Sequence, residues 1–336
     1  MRRAACRLIA APVAAAILTG MKRLLLLLSL LLSLVACQTL RHAEIIHAEA
    51  KVGGGSGESA ALLEGEFDNH EQVWAARENA AAAAIVPPHV VITLATTPRN
   101  DWSVWHVHLD GATPVDATWA MQFVHGADGA STLLPYRALV AVPATGAQFD
   151  AKQWTPLDAC SLGRTMTVTS IHVTANVAAC AAIVPGIGPQ AALLPLAIER
   201  EGEWLHVRLY ADQARGADVR EDARKVQVFG GWAAINGAGP QGAGDSKDWH
   251  MNRTIRLGNE GGRAALTWRD GKPSGYSLGL ERLTYREGNV PVLKLSVIND
   301  ADGRTLAYAW ANPEATRIGI SLGWLQVGLQ RVGAAR

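Results

Sequence analysis

Alternating hydrophobic and polar positions run through most of the chain from residue 90 onward. In four early runs, apolar side chains occupy every second position, as on one face of a β-strand: Val90, Ile92 and Leu94; Trp105, Val107 and Leu109; Trp119, Met121 and Phe123; and Tyr136, Ala138, Val140 and Val142. Segments rich in Gly, Asp, Asn and Pro separate these runs and have the composition of turns. A later run places Leu205, Val207 and Leu209 on one face of a further strand. Short strands at this spacing predict a closed antiparallel meander or a β-sandwich.

Helical periodicity is strong in one segment, from Leu62 to Trp74. At about 100° per residue, one stripe of this segment is formed by Leu63, Phe67, His70 and Trp74, and the opposite stripe by Gly65, Asn69, Gln72 and Ala76. Ser59 precedes the segment and is a suitable N-cap. We therefore predict a helix over 62–74 whose apolar stripe packs against the sheet.

The last third of the chain alternates again. Its runs are Leu278 and Leu280; Leu293, Leu295 and Val297; and Leu306, Tyr308 and Trp310. From Ile318 to Leu329, apolar residues alternate with Gly and shift phase at Trp324 and Leu325, which indicates a bulge or a strand that passes close to another backbone. These strands either extend the first β unit or form a second small β unit packed on it.

The N-terminal residues 1–37 have the features of a bacterial lipoprotein leader. Met21–Arg23 is a basic start, Leu24–Leu34 is an apolar core too short to span a membrane comfortably, and Leu34–Cys37 matches a lipobox. We predict translation from Met21, cleavage before Cys37 and lipidation of that cysteine, which would anchor the protein in a membrane. An uncleaved N-terminal helix is the alternative. Residues 38–58 form a polar, Gly-rich tether, and Gln38 after the cysteine fits sorting to the outer membrane.

Composition and charge exclude several classes of function. The 336 residues are 49% hydrophobic and carry a formal net charge of +1, so the chain has no overall attraction to nucleic acid. No Lys/Arg cluster follows the leader. The sequence also lacks a nucleophile elbow, a P-loop, a zincin helix and a CxxC pair. His106 and His108 on one strand face suggest a metal ligand pair, but ordinary surface histidines are the expected interpretation, and we predict no metal site.

Cys160 and Cys180 are the cysteines that remain once the leader is removed and Cys37 is lipidated. Export to an oxidising compartment favours a disulfide between them, and the Thr/Val-rich stretch that they flank suggests neighbouring strands. Closing a loop of about twenty residues would stabilise the fold by about 3 kcal/mol. A free catalytic thiol is the alternative, although no His stands beside either cysteine in the sequence to act as a base.

Three short motifs occur in the order expected for one protein family. They are Gly65-x-Phe67-x-Asn69-x-x-Gln72, then Gln122, then Pro135-Tyr136-Arg137. Together they resemble the CpcT/CpeT phycobiliprotein chromophore lyases, and the resemblance extends over residues 61–240. Met121 and Ala214 stand where the family has Glu and Asp. The family also tends to carry two cysteines in the middle of the chain, which supports the disulfide.

The resemblance implies a mainly β fold. Its expected form is an antiparallel calycin or lipocalin-like β-barrel with one N-terminal helix in residues 59–244, followed by additional strands in residues 245–336. It also implies that the protein binds an open-chain tetrapyrrole, a bilin, and delivers it to a cysteine of a phycobiliprotein. The implied ligand-binding residues are Asn69, Gln72, Gln122, Tyr136 and Arg137. Arg137 would pair either with a ligand propionate or, as we expect, with Glu64, Glu66 or Asp68.

Two functional hypotheses follow. The first is a CpcT/CpeT-like lyase-type protein that holds a bilin or a similar apolar ligand in its barrel and acts by positioning it. It would need no cofactor beyond that ligand. The second is a non-catalytic, lipocalin-like lipoprotein of the bacterial envelope that faces the periplasm and binds a lipid or a protein partner. We favour the second, because a membrane anchor is a poor place to meet phycobiliproteins.

Overall fold

The computed structural model describes residues 63–78, 86–125, 131–140, 146–166, 170–216, 219–241, 247–285 and 290–333. The predicted leader, Cys37, the tether and Ser59 lie outside these ranges. No helix within these ranges is both long enough and apolar enough to cross a membrane.

Strand pairing closes the first half of the described chain into a barrel. Its strands are β1 (Gly65–Asp68), β2 (Val90–Thr96), β3 (Trp102–Leu109), β4 (Val115–His125), β5 (Ser131–Ala138), β6 (Trp154–Pro156), β7 (Leu162–Met166), β8 (Ser170–Ala175), β9 (Pro195–Glu201), β10 (Trp204–Leu209) and β11 (Glu221–Lys225). Ten of these described strands form a ring in the order β4-β3-β2-β1-β11-β10-β9-β8-β7-β5, which closes through β4 and β5, while β6 pairs with the outer edge of β5. The predicted antiparallel, calycin-like barrel is therefore confirmed.

The inside of the barrel is filled by side chains. The predicted inward positions of β2, β3, β4 and β10 are almost all buried, and Trp105 and Trp119, which lie opposite each other on β3 and β4, have no exposed surface. Trp119 Nε1 donates a hydrogen bond to the carbonyl of Leu193 (3.1 Å), and Trp105 Nε1 donates to Ser103 Oγ (3.0 Å). A side chain without exposed surface lines no space of the size of a water molecule. These residues therefore form a packed core.

The predicted helix over 62–74 is wrong in its first half. Gly65–Asp68 is strand β1, and the helix α1 spans His70–Glu78. Phe67 pairs in register with Ile92 on one side and Lys225 on the other, so β1 completes the ring of strands. Gly65 has a φ of 140°, a conformation that favours glycine and is incompatible with a helix.

The predicted inner face of β5 is also wrong. The strand ends at Ala138, and its fully buried positions are Leu133 and Pro135 rather than Tyr136. Val140 is 55% exposed, and Val142 lies outside the described residues. Tyr136 and Ala138 instead pack on the outside of the barrel.

The remaining described strands form a β-sandwich. They are β12 (Val228–Asn236), β13 (Trp249–Gly258), β14 (Glu260–Thr267), β15 (Pro273–Leu283), β16 (Val292–Asn299), β17 (Thr305–Ala311), β18 (Arg317–Ser321) and β19 (Leu325–Arg331). Two four-stranded sheets, β13-β12-β19-β18 and β14-β15-β16-β17, share one apolar core. The C-terminal strands thus form a second β unit. By its pairing with β13 and β19, β12 belongs to this unit, although the sequence placed it within the barrel range 59–244.

The glycine-alternating run from Ile318 to Leu329 is two strands rather than one bulged strand. Its phase shift at Trp324 and Leu325 falls at the turn between β18 and β19. The close backbone approach that the glycines indicated is present, because a Cβ atom on Gly319 would lie 2.6 Å from the carbonyl oxygen of Val327.

Cys160 and Cys180 form a disulfide bond. Cys160 lies in the 3₁₀ turn Asp158–Cys160 and Cys180 in the short helix α2 (Val177–Ala181), so the expectation that they sit on neighbouring strands is wrong. Both cysteines are fully buried and belong to the apolar core of the barrel. The bond therefore ties two short helical segments to the barrel.

A buried ion cluster joins the barrel to the sandwich. Arg224 of β11 is 3% exposed and makes a bidentate contact with Glu260 of β14, with both N···O distances 2.8 Å. Its guanidinium also contacts the carboxylate of Glu71 on α1 and donates to the carbonyl of Arg282 (2.6 Å). Burial raises the pKa of Glu260 to about 8.

Candidate functional site

Asn69 and Gln72 lie together at one end of the barrel, where α1 begins. Asn69 is fully buried; its Oδ1 accepts from Val90 N (2.8 Å), and its Nδ2 donates to Glu221 Oε2 (2.8 Å). Gln72 donates to the carbonyl of Arg220 (3.0 Å) and accepts from the backbone of Asp222 (3.1 Å). Both amides are therefore used to fasten α1 to β2 and β11.

Glu221 is the centre of this polar cluster and was missed from the sequence. Its side chain is fully buried, and burial raises its pKa to about 7. Arg215 donates to Glu221 (2.7 Å) and to Asp212 (3.0 Å), whose other oxygen accepts from Leu209 N (2.7 Å). A Glu between Arg220 and Asp222 carries no sequence signal for burial.

Gln122 and Tyr136 form a separate contact on the outer surface of the barrel. The Tyr136 hydroxyl donates to Gln122 Oε1 (2.7 Å), and Gln122 Nε2 donates to Asp101 (3.0 Å). The Tyr136 ring packs against Trp102, 4.5 Å between centroids, in a small cluster with Trp154. This cluster holds the segment before β6 against the barrel wall, so its role is structural.

Arg137 lies apart from the other four predicted ligand residues. Its guanidinium donates to the carbonyl of Gly186 (3.2 Å). It forms no ion pair with any described residue, so the predicted pairing with Glu64, Glu66 or Asp68 is wrong. Asp68 is bound to His89 (2.7 Å), and Glu64 accepts from Thr96 (3.3 Å). The five predicted ligand residues thus occupy three separate places.

Histidines and carboxylates alternate in a line along the rim of the barrel. The line consists of Asp68, His89, Asp110, His108, Asp116 and His106. The hydrogen bond between His89 and Asp68 is the main cause that raises the pKa of His89 to about 9. The described ranges contain no group of three or more His, Cys, Asp or Glu arranged to hold a metal ion. Each histidine is matched to a carboxylate instead.

A surface cavity lies on the outer face of the sheet β13-β12-β19-β18. This cavity, the Trp232 groove, has a volume of about 660 Å³ and is lined by Gly230, Gly231, Trp232, Met251, Arg253, Thr254, Ile255 and Arg256. Its volume is within the range of natural ligand sites.

A β-bulge builds the wall of the Trp232 groove. Gly231 of β12 pairs with Ile255 of β13, but Ala233 pairs with Asn252, so two residues of β13 stand opposite Trp232. Bulges redirect side chains at ligand sites. Here the bulge brings Arg253 to the same groove as Arg256, whereas residues three apart on a regular strand point to opposite faces.

The floor of the groove is backbone, because glycines leave room for the Trp232 ring. A Cβ atom on Gly328 would lie 3.0 Å from Trp232 Nε1, so the indole rests directly on β19. The other side of the ring is open, and Trp232 is 41% exposed. Met251 beside it is 48% exposed. The groove therefore offers an aromatic and apolar surface to a ligand.

Arg253 and Arg256 give the groove a positive charge. Both side chains are exposed, and neither makes a hydrogen bond or a salt bridge with the described part of the chain, although the carboxylate of Glu66 interacts electrostatically with Arg256. Three other arginines of the described sandwich form ion pairs: Arg263 with Asp300 (2.6 Å), Arg282 with Glu203 (2.7 Å) and Arg304 with Asp302 (3.9 Å). The planar guanidinium suits carboxylate and phosphate groups. The described lining of the groove contains no Ser, Cys, His, Asp or Glu, and Thr254 contributes a hydroxyl group.

The residues of the CpcT/CpeT-like motifs contribute hydrogen bonds to the Glu221 cluster and to the outer cluster of Tyr136. No protein-family model, curated protein or solved structure matches the chain.

Proposed function

We propose that the protein is a non-catalytic binding protein of the bacterial envelope, and that the Trp232 groove binds an anionic ligand with an apolar part. One observation carries the proposal. Two exposed arginines, neither of which forms a salt bridge with a described residue, lie beside the exposed indole of Trp232. A phosphate or carboxylate would accept hydrogen bonds from Arg253 and Arg256, and an apolar chain would cover Trp232 and Met251.

The packing of the barrel supports this choice over a bilin held in the barrel. Trp105, Trp119 and Met121 fill the interior without exposed surface. The side-chain amides of Asn69 and Gln72 form hydrogen bonds with backbone groups and with Glu221. A bilin in the barrel would have to displace large core side chains, each worth about 2 kcal/mol or more in burial.

The cellular location remains part of the proposal. The lipobox ending at Cys37 supports a lipid anchor, with the domain on the periplasmic side of the outer membrane. The Cys160–Cys180 disulfide is typical of an exported protein. Labelling cells with an alkyne fatty acid should mark the wild-type protein and leave Cys37→Ser unlabelled; equal labelling of both would refute the anchor.

Isothermal titration of the full chain with hexyl phosphate tests the binding site. Inorganic phosphate and hexyl glucoside serve as half-ligands that lack the chain or the charge. We expect hexyl phosphate to bind more tightly than either, because each arginine adds a charge-assisted hydrogen bond worth about 1.5–3 kcal/mol.

Variants identify the residues responsible. Arg253→Gln with Arg256→Gln should lower the affinity for hexyl phosphate about tenfold or more and leave hexyl glucoside unchanged. Arg304→Gln is the matched control, since Arg304 is an exposed arginine in the turn before β17. Equal affinity in the double variant and the control would refute the site.

A further inference from the structure

Four aromatic side chains form a continuous run across the outer face of the other sheet and onto α1. The run, called here the Tyr308 platform, consists of Tyr308, Trp310, Tyr285 and Trp74, with successive ring centroids 5.3, 5.8 and 5.1 Å apart. Tyr308 and Trp310 are 56% and 58% exposed, and their rings are 27° from parallel. Two large rings, stacked against each other with nearly parallel planes, are thus exposed to solvent.

The exposure of these rings is unusual in this protein. Trp105 and Trp119 are fully buried, and burying an aromatic side chain is strongly favourable. Tyr308 and Trp310 lie on one face of β17 because they are two residues apart. That face points away from the sandwich core, which β16 fills with Leu293, Leu295 and Val297. A contiguous exposed apolar patch of this kind marks a binding surface.

The described polar groups in register with the platform are paired with one another. In register with Trp310, Lys294 pairs with Glu281 (3.3 Å), and in the row of Tyr308, Arg263 pairs with Asp300 (2.6 Å). An anionic ligand therefore meets no free cation here, in contrast to the Trp232 groove. A neutral ligand with many hydroxyl groups can donate to the carboxylates and accept from the Lys and Arg groups.

A buried hydroxyl without a partner lies directly beside the rings. Ser296 pairs in register with Tyr308 and points to the same face. It is 3% exposed, and its Oγ makes no hydrogen bond to the described residues. An unsatisfied buried hydroxyl is unfavourable, so a hydrogen-bonding ligand at this face would stabilise it.

We propose that the Tyr308 platform binds a neutral, extended oligosaccharide. The C–H faces of pyranose rings pack on aromatic faces by dispersion and by attraction to the ring quadrupole. A flat, β-1,4-linked chain presents such faces one after another, which fits a run of four aromatic rings whose successive centroids are 5.1–5.8 Å apart. The mixed, paired charges at the rim suit sugar hydroxyls rather than an ionic partner.

Titration of the full chain with cellohexaose and chitohexaose tests this site, with helical maltohexaose as the comparison. We expect saturable binding of at least one flat glycan and weaker binding of maltohexaose. Trp310→Ala and Tyr308→Ala should each lower the affinity severalfold to tenfold, whereas Trp310→Phe should keep most of it. Because both rings are exposed, all three variants should keep the melting temperature of the wild type.

Trp232→Ala serves as the matched control, because it removes an exposed tryptophan from the other sheet and should leave glycan affinity unchanged. Loss of hexyl phosphate binding in that variant, with glycan binding intact, would separate this inference from the proposed function. Failure of the folded wild type to bind either flat glycan, or equal affinity in Trp310→Ala and wild type, would overturn the inference. Equal affinity for maltohexaose would overturn the assignment of an extended chain.

Discussion

Removal of Arg224 should destabilise the protein in a pH-dependent way. Arg224→Leu leaves the carboxylate of Glu260, whose side chain is fully buried, without its bidentate partner, and it also leaves Glu71 unpaired. Breaking a buried ion pair on one side costs about 3–5 kcal/mol when the remaining charge stays ionised. The size of the effect therefore depends on the protonation of Glu260.

The sign of the pH dependence follows from the pKa of Glu260. Burial raises this pKa to about 8 from an ordinary value of 4.5. Folding therefore takes up a proton at pH values between about 4.5 and 8. The stabilisation that comes from protonating Glu260 is fully present below about pH 4.5 and is lost as the pH rises through about 8. Without Arg224 the pKa rises further, and the variant continues to lose stability above pH 8, at up to ~1.4 kcal/mol per pH unit. We expect a loss of about 1–3 kcal/mol at pH 6 and about 3–5 kcal/mol at pH 9.

Urea unfolding followed by tryptophan fluorescence at pH 6 and pH 9 measures these losses. The control is the double variant Arg224→Leu with Glu260→Leu, which replaces the pair by apolar side chains and should be less destabilised and less dependent on pH. Equal losses for Arg224→Leu at both pH values, or a double variant as unstable as the single variant, would refute the reasoning.

Three further predictions concern the rim, the disulfide and the groove. The pKa of His89 is raised to about 9 from 6.5. The stabilisation of the fold by protonated His89 is therefore fully present below about pH 6.5 and is lost as the pH rises through about 9. His89→Gln should lower the melting temperature at pH 6 and change it little at pH 10. A similar loss at both pH values would contradict this. Replacing Cys160 and Cys180 by Ala should lower the free energy of unfolding by about 3 kcal/mol in urea titrations, and no loss would show that the bond does not constrain the unfolded chain. A Cβ atom on Gly231 would lie 2.0 Å from a carbonyl oxygen of β19, so Gly231→Ala should cost about 1–3 kcal/mol, whereas Gly323→Ala, with nothing within 4 Å, should be neutral. Equal unfolding midpoints for these two glycine variants would show that Gly231 does not lie close to the backbone of β19.

Strand alternation predicted β2, β3, β4, β5 and β10, half of the ten described strands of the barrel, but it could not distinguish β1 from a helix. Leu63 and Phe67 are four residues apart, a spacing that puts them on one face of a helix and equally on one face of a strand. The choice is made by strands distant in sequence, because β2 and β11 pair with β1 on its two sides. For the same reason, the sequence did not show that Val228–Asn236 pairs with β13 and β19 rather than with the barrel strands.

The candidate site was less accessible from the sequence, because it depends on register. Arg253 and Arg256 are three residues apart and would face opposite sides of a regular strand. The bulge opposite Trp232 brings both to one groove, and its position follows from the pairing of Gly231 with Ile255. Predicting the disulfide required only the number of cysteines and the expected oxidising compartment, and no knowledge of the strand register.

Both proposed binding sites lie on the sandwich rather than on the barrel, and this has a physical basis. A closed barrel whose interior is filled by Trp105 and Trp119 has no free inner face, and its outer wall carries ion pairs and structural clusters. A two-sheet sandwich buries one face of each sheet and leaves two outer faces that point in opposite directions. The Trp232 groove lies on one of these faces and the Tyr308 platform on the other. An anionic amphiphile and a neutral glycan could therefore bind at the same time without contact, which would let one protein bridge a lipid-like ligand and a polysaccharide.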